Sequence, residues 1–239
     1  MPMQLTPIAY TKSPYKQKFA IPRQPNLVRE ARGEIIFNKD FADPNCLRGI
    51  EQFSHLWLIF VFHETADKGW SPTVQPPRLG GKESIGVFAT RSTFRPNPVG
   101  MSVVENLGWE QKGSSLSLQV GGLDLLDGTP ILDIKPYLPY ADAVSQASAG
   151  FADLAPASDY DLVFSTEAEQ DLAELGTHNL DYPDLKAFIA SVLKQDPRPA
   201  WRKRDPDDKR YGMSLYDLNI KWRIEQNSIL VLSIRKESS

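Results

Sequence analysis

Leu56-Trp-Leu-Ile-Phe-Val-Phe62 is an unbroken apolar run, rich in aromatic and β-branched side chains. A run of that length and composition predicts a strand buried on both faces. Ser84 to Thr90, Met101 to Leu107, Leu116 to Val120 and Ile131 to Ile134 are further short strand-like stretches, set off by Gly, Pro, Asp and Asn. No amphipathic helix interrupts them up to about residue 140. Many short strands joined by glycine and proline turns predict a barrel or a sandwich rather than a βαβ sheet.

Beyond about residue 145 the pattern changes. Ser145 to Ser158 is rich in Ala and Ser and reads as a linker. Thr166-Glu-Ala-Glu169 has capping-box spacing, with Leu172 and Leu175 following and Gly176 as a stop. Pro183 opens a second helix, with Leu185, Phe188, Ile189, Val192 and Leu193 on one face. Asp196-Pro-Arg-Pro ends it. Ile220, Trp222 and Ile224 alternate up to a Gln226-Asn-Ser turn, and Ile229 to Ile234 returns as a hairpin partner. The expected fold is mainly β: a β-body over 1–145 and a smaller α+β domain over 146–239.

Composition narrows the class. With 41% hydrophobic and 24% charged residues, the 239-residue chain is that of an ordinary globular protein. Its longest apolar run falls far short of the roughly 20 residues of a membrane helix. No basic start and apolar core mark a signal peptide, and one cysteine, Cys46, permits no internal disulfide. A soluble, cytoplasmic protein is expected. Net charge is only -3, but it is unevenly spread. Tyr10 to Arg32 carries six basic residues against Glu30, Glu110 to Asp184 fourteen acids against Lys112 and Lys135, and Lys194 to Arg210 seven basic residues against four acids. Such asymmetry suits a basic face for phosphates on an otherwise acidic protein, and equally suits solvated surface clusters.

Several chemistries are excluded. Three histidines and one cysteine, without metal-ligand spacing, leave no zinc site. There is no Gly-x-Ser-x-Gly elbow, no Walker loop and no Gly-x-Gly-x-x-Gly after a strand. What remains is polar groups in rigid settings: Ala20-Ile-Pro-Arg-Gln-Pro25, His63-Glu64 after the apolar run, Ala89-Thr-Arg-Ser-Thr-Phe-Arg-Pro-Asn-Pro98, the glycine-bounded turn Gly121 to Pro130 holding Asp124 and Asp127, and Ile131 to Tyr137. Proline fixes φ and extends the residue before it, so the third loop displays its polar groups at set angles. Each of these features has an ordinary structural reading. Together on one β-body they predict a pocket. Asp133 and Lys135, in Ile131-Leu-Asp-Ile-Lys-Pro-Tyr137, are either a structural ion pair or a pair of site groups.

At this point the residues resemble the TsaA-like family, whose bacterial members include the TrmO-type tRNA (adenine-N6)-methyltransferases. The resemblance lies in Ser13-Pro-Tyr-Lys16, Pro22-Arg-Gln24, Phe53-Ser-His-Leu-Trp57, Phe62-His-Glu64, Gly86 to Pro98 and Leu123 to Tyr137, with Asp196-Pro-Arg-Pro-Ala-Trp-Arg202 matching the bacterial C-terminal extension. It implies a compact β-barrel that binds S-adenosylmethionine without a Rossmann fold, a homodimer, and tRNA as partner. The implied reaction is methylation of N6 of threonylcarbamoyladenosine, the modified purine next to the anticodon (position 37). The implied cofactor pocket falls on Pro22, Arg23, Gln24, His63, Glu64, Arg91, Met101, Asp124, Leu125, Leu126 and Asp127. Met101 departs from the leucine of many members, but the two are similar in volume.

On the same resemblance Arg91 faces the cofactor, while Arg95 and Asn97 face the RNA. Carbamoylation makes N6 a poor nucleophile but a more acidic N–H, so a base or a polarising group is needed. Asp133 and Lys135 are the catalytic candidates, with Lys135 also placed to grip the threonyl carboxylate. Arg202, Lys203 and Arg204 are candidates for tRNA phosphates. Neither a metal nor a membrane is required. Two other classes stand beside this reading: a non-catalytic tRNA-binding adaptor, and a hydrolase of a nucleotide derivative.

Overall fold

The structure, a computed structural model, describes residues 4–80, 83–154, 160–176, 181–198 and 209–237. Its first part is built of strands β1 (Ala9–Lys12), β2 (Arg32–Phe37), β3 (His55–Val61), β4 (Thr73–Val74), β5 (Ile85–Gly86), β6 (Val99–Lys112), β7 (Ser115–Gly121) and β8 (Pro130–Pro136). Six of these pair in the closed order β1-β2-β7-β6-β3-β8, every pair antiparallel. The circuit closes where Ala9 of β1 meets Ile131 of β8. Strands β4 and β5 form a separate two-stranded ribbon.

Strand β3 differs from expectation. Leu56, Leu58 and Phe60 are buried, whereas His55, Trp57, Ile59 and Val61 are only half-buried. A sheet closed on itself fills its interior from one face of each strand, so the unbroken run hides an alternation. Trp57 on the other face packs beside Tyr137 and donates its indole N–H to Asp142 at 3.0 Å. The strand expected over Ser84 to Thr90 shrinks to Ile85–Gly86. Thr90 Oγ1 donates to the Val87 carbonyl at 2.8 Å and tightens the following residues into a 3-10 turn.

After a short helix α1 (Pro139–Asp142) the chain is exposed up to residue 154. Strand β9 (Asp161–Phe164), helices α2 (Thr166–Leu175) and α3 (Leu185–Leu193), and strands β10 (Tyr211–Leu215), β11 (Leu218–Glu225) and β12 (Ser228–Lys236) follow. They form a sheet of order β10-β11-β12-β9, with β9 parallel to β12 and the predicted hairpin as β11 and β12. The helix cap is Ser165, not Thr166: its hydroxyl accepts from Ala168 N–H at 3.1 Å and donates to the Leu232 carbonyl at 2.8 Å. Serving both partners draws the cap one residue forward. Gly176 ends α2 at φ 85, as expected. Helix α3 begins after Asp184, which takes a left-handed φ of 51. One continuous apolar cluster joins Leu58, Leu118 and Ile131 of the first part to Phe188, Leu215 and Trp222 of the second. Arg202, Lys203 and Arg204 lie outside the described residues.

Candidate functional site

A cavity of about 550 Å³ opens beside the end of β3, within the size range of small-molecule sites. Its apolar side is made by Phe60 and Phe62, whose rings meet edge to face at 5.3 Å. Gly100 makes that arrangement possible. A Cβ there would stand 2.5 Å from the Phe60 ring and 2.7 Å from the Phe62 ring, so a larger residue would displace the cavity wall.

The polar side comes from the turn after β7. Gly122 (φ 67) and Gly128 (φ 74) bracket it, in a backbone conformation that favours glycine. Thr129 Oγ1 closes the turn on the Leu126 carbonyl at 2.7 Å. Asp124 is half-buried in the cavity lining, and its Oδ1 accepts a hydrogen bond from Ser102 Oγ at 2.6 Å. Burial raises its carboxyl to about 6, against the opposing pull of the Ser102 hydroxyl and the Arg91 charge. A carboxylate so placed is costly to ionise alone and gains most from a cation. Across the cavity Arg91 donates to the Gln24 side-chain oxygen, tying the proline-stiffened loop to the Pro22–Pro25 wall.

Ten of the expected cofactor residues line this one cavity: Pro22, Arg23, Gln24, His63, Glu64, Arg91, Met101, Asp124, Leu125 and Leu126. Asp127 does not line it. Its carboxylate accepts the Ser13 N–H at 2.8 Å and Lys16 Nζ at 2.6 Å, so it pins the turn from behind. Arg95 folds back on its own loop, with Nη1 donating to the Thr90 carbonyl at 2.8 Å. Arg95, Asn97, Asp133 and Lys135 all lie outside the cavity lining. Asp133 and Lys135 pair at 2.8 Å on β8, with Lys135 opposite Trp57 and Asp133 opposite Ile59.

Sequence reasoning missed Ser102, Thr65, Lys16, Lys18 and Lys68 in the lining. Ser102 had one visible signal, a hydroxyl between Met101 and Val103-Val104 in an apolar stretch of its strand. Among the described residues no three His, Cys, Asp or Glu side chains gather as a metal site would need, and no helix is long and apolar enough to cross a membrane.

Comparisons with known proteins follow this geometry. Residues 10–143 match the family model of the tRNA-methyltransferase O N-terminal domain, and residues 157–237 match that of the TrmO C-terminal domain. The chain is 49% identical over 231 residues to a tRNA (adenine(37)-N6)-methyltransferase of Escherichia coli K12, covering 97% of each. A probable S-adenosyl-L-methionine-binding protein of Pyrococcus abyssi is 39% identical over 145 residues, 61% of this chain and 73% of that one. The crystal structure of TrmO from Pseudomonas aeruginosa superposes with a TM-score of 0.80 at 40% identity, covering 99% of this chain and 98% of the other.

Proposed function

The chain belongs to the TrmO family, and from that premise we propose that it transfers a methyl group from S-adenosylmethionine to N6 of threonylcarbamoyladenosine at position 37 of tRNA. The observation that carries the reading is the cavity itself, where a half-buried carboxylate, an arginine and an aromatic wall converge. These residues fit the cofactor. Its sulfonium and ammonium are cations, which Asp124 is placed to receive. Its carboxylate suits the Arg91 guanidinium, which can pair with both oxygens. Its adenine suits the Phe60 and Phe62 rings.

We read the closed strand order as the compact β-barrel that holds the cofactor, over residues 1–145, with 146–239 as a second domain adding to the tRNA surface. The working form is read as a cytoplasmic homodimer. Support for the RNA surface is the positive balance of Tyr10 to Arg32 and of Lys194 to Arg210.

When bound, S-adenosylmethionine supplies a methyl group already activated on sulfur, so no metal and no covalent enzyme intermediate is needed. The protein's share is positioning and charge. Arg91 and Gln24 hold one end of the cavity, and the Asp124 turn holds the other. Reacting atoms must be brought to about 3 to 3.5 Å in line, which a wall stiffened by Pro22, Pro25 and Pro96 favours. The carbamoylated N6 needs its proton removed. Asp133, held to Lys135 on β8 outside the cavity lining, is the candidate acceptor, and Lys135 the candidate partner of the threonyl carboxylate.

The test is methyl transfer from labelled S-adenosylmethionine to tRNA with and without the threonylcarbamoyl group. Label should enter the modified tRNA far faster. Equal labelling of plain adenosine would overturn the substrate assignment, and cofactor binding without transfer to either tRNA would favour an adaptor.

A further inference from the structure

Residues 13 to 17 are bonded along both edges, to two stretches of chain remote in sequence. One edge holds the Asp124 turn. Ser13 Oγ donates to the Leu125 carbonyl at 2.7 Å, Ser13 N–H donates to Asp127 Oδ1 at 2.8 Å, and Asp127 N–H donates to the Tyr15 carbonyl at 3.0 Å. The other edge holds the second sheet. Tyr216 N–H donates to the Pro14 carbonyl at 2.7 Å, Tyr15 forms a β-bridge with Leu215, and Gln17 Nε2 donates to Ser214 Oγ at 2.9 Å. Between the edges Tyr15 is completely buried, its ring 5.8 Å from that of Phe188 on α3.

The strap runs straight on into the cavity wall. Lys18, Ile21 and Arg23 line the 550 Å³ cavity on one side and a second cleft of about 340 Å³ on the other. That second cleft is faced by Val192 and by Asp196 to Arg198. The Arg198 guanidinium is buried there and grips both oxygens of Asp196, at 2.9 and 3.0 Å. The wall is therefore one layer of chain thick, with cofactor residues in front and C-terminal residues behind.

We propose that Gln17, Phe188 and Ser214, together with buried Tyr15, are positioning residues for the methyl donor, although none of them lines the cavity. A turn held open by two left-handed glycines has little stiffness of its own, so its shape is set by what it is bonded to. The strap transmits that shape through an unbroken chain of hydrogen bonds and packed rings. The C-terminal sheet and α3 then have a role beyond touching RNA: they hold the donor site in register. This inference rests on the reading that the cavity takes S-adenosylmethionine.

The experiment uses the full chain and compares Gln17→Ala and Phe188→Leu with Ile229→Val. The control residue is also fully buried, but its ladder partners are Ile224 and Leu162, away from the strap. Calorimetry with S-adenosylmethionine should show each strap variant binding about fivefold more weakly or worse, the lower end of typical coupling between sites. Its KM for the donor should rise accordingly, while kcat at saturating donor stays within about twofold. The control should lose thermal stability and keep its affinity. Unchanged affinity in both strap variants would overturn the proposal. So would affinity lost in step with melting temperature across all three, the signature of general destabilisation. If Phe188→Leu does not fold, Gln17→Ala decides alone, since it removes one side chain from an exposed position. A wild-type chain that fails to bind the donor would instead sink the functional reading first, so the two failures are told apart.

Discussion

Asp124 and Asp133 bring the same carboxyl group into opposite surroundings. Asp124 is half-buried in a glycine-bracketed turn, bonded to Ser102 and raised to about 6. Asp133 has nearly half its side chain exposed and carries its own counter-ion, Lys135, at 2.8 Å. The difference separates two duties. Among the described residues no ion pair is formed by Asp124, so a cationic ligand can complete it, whereas a carboxylate already paired on β8 can exchange partners as substrate arrives. On the proposed function, the first belongs to the methyl donor and the second to the tRNA base.

The largest test of that division is Asp124→Asn, with Arg91→Ala beside it. Each removes one end of a charge-assisted contact, and each should weaken S-adenosylmethionine by roughly 2 to 3 kcal/mol, about 30- to 150-fold in Kd. Calorimetry on the folded variants checks it, and unchanged affinity for either would take that residue out of the donor site.

Next comes pH. If the ionised form of Asp124 binds the donor, affinity in the wild type should be flat above about pH 7 and fall about tenfold per unit below about pH 6. Asp124→Asn should flatten that profile. The stability of the unliganded chain carries the opposite sign. Because the folded carboxyl is raised, the folded chain holds its proton more tightly than the unfolded one, and this contribution is lost as pH rises through about 6. Asp124→Asn should therefore gain stability relative to wild type above pH 6 and not below pH 4, which paired chemical denaturation would read.

A smaller effect should come from the ion pair on β8. Lys135→Ala should slow single-turnover methylation of the threonylcarbamoylated tRNA by about tenfold, the lower part of the range for an unpaired polar group, and leave plain adenosine little changed. A gap between the two tRNAs that stays as wide would release Lys135 from the threonyl carboxylate. The smallest effect is Asp133→Asn on folding. A half-exposed ion pair contributes less than about 1 kcal/mol, so its melting temperature and donor affinity should match wild type while its turnover falls. A large loss of stability would recast Asp133 as a structural group.

Much of the fold was legible in the sequence, and so were ten of the residues that line the cavity. Proline-stiffened loops have few ways to stand, so the stretches holding Pro22 to Gln24 and Arg91 stood out from local chemistry, as did the glycine-bounded turn of Asp124, while their assignment to one cofactor pocket came from the family resemblance. Groups whose partner is remote were not legible in this way. Asp127 sits in the same turn as Asp124, yet it faces Ser13 and Lys16, more than a hundred residues earlier. Ser102 looked like filler in a strand until its partner Asp124 was across from it. Arg95 shares a loop with Arg91, but three carbonyls of its own loop lie within its reach, so it turns inward. Among the strands, β1, β2, β4, β9 and β10 escaped notice: β1, β4 and β9 are too short to carry periodicity, and β9 borrows its order from β12 alongside it. The Ser165 cap was missed by one position because the deciding partner, the Leu232 carbonyl, belongs to another strand.

The strap at residues 13 to 17 also has a consequence for how the chain is made. Gln17 and Ser214 are 197 residues apart, and Tyr15 waits for Leu215 in the same way. The ribosome releases residues 13 to 17 first, but their outer edge waits for partners almost two hundred residues further along. A nascent chain stopped short of β10 lacks the bonds that hold the strap beside the cavity wall. On the inference above, the shape of the cavity wall thus waits for residues 214 to 216 to be made, and a product truncated before them would lack the bonds that hold it.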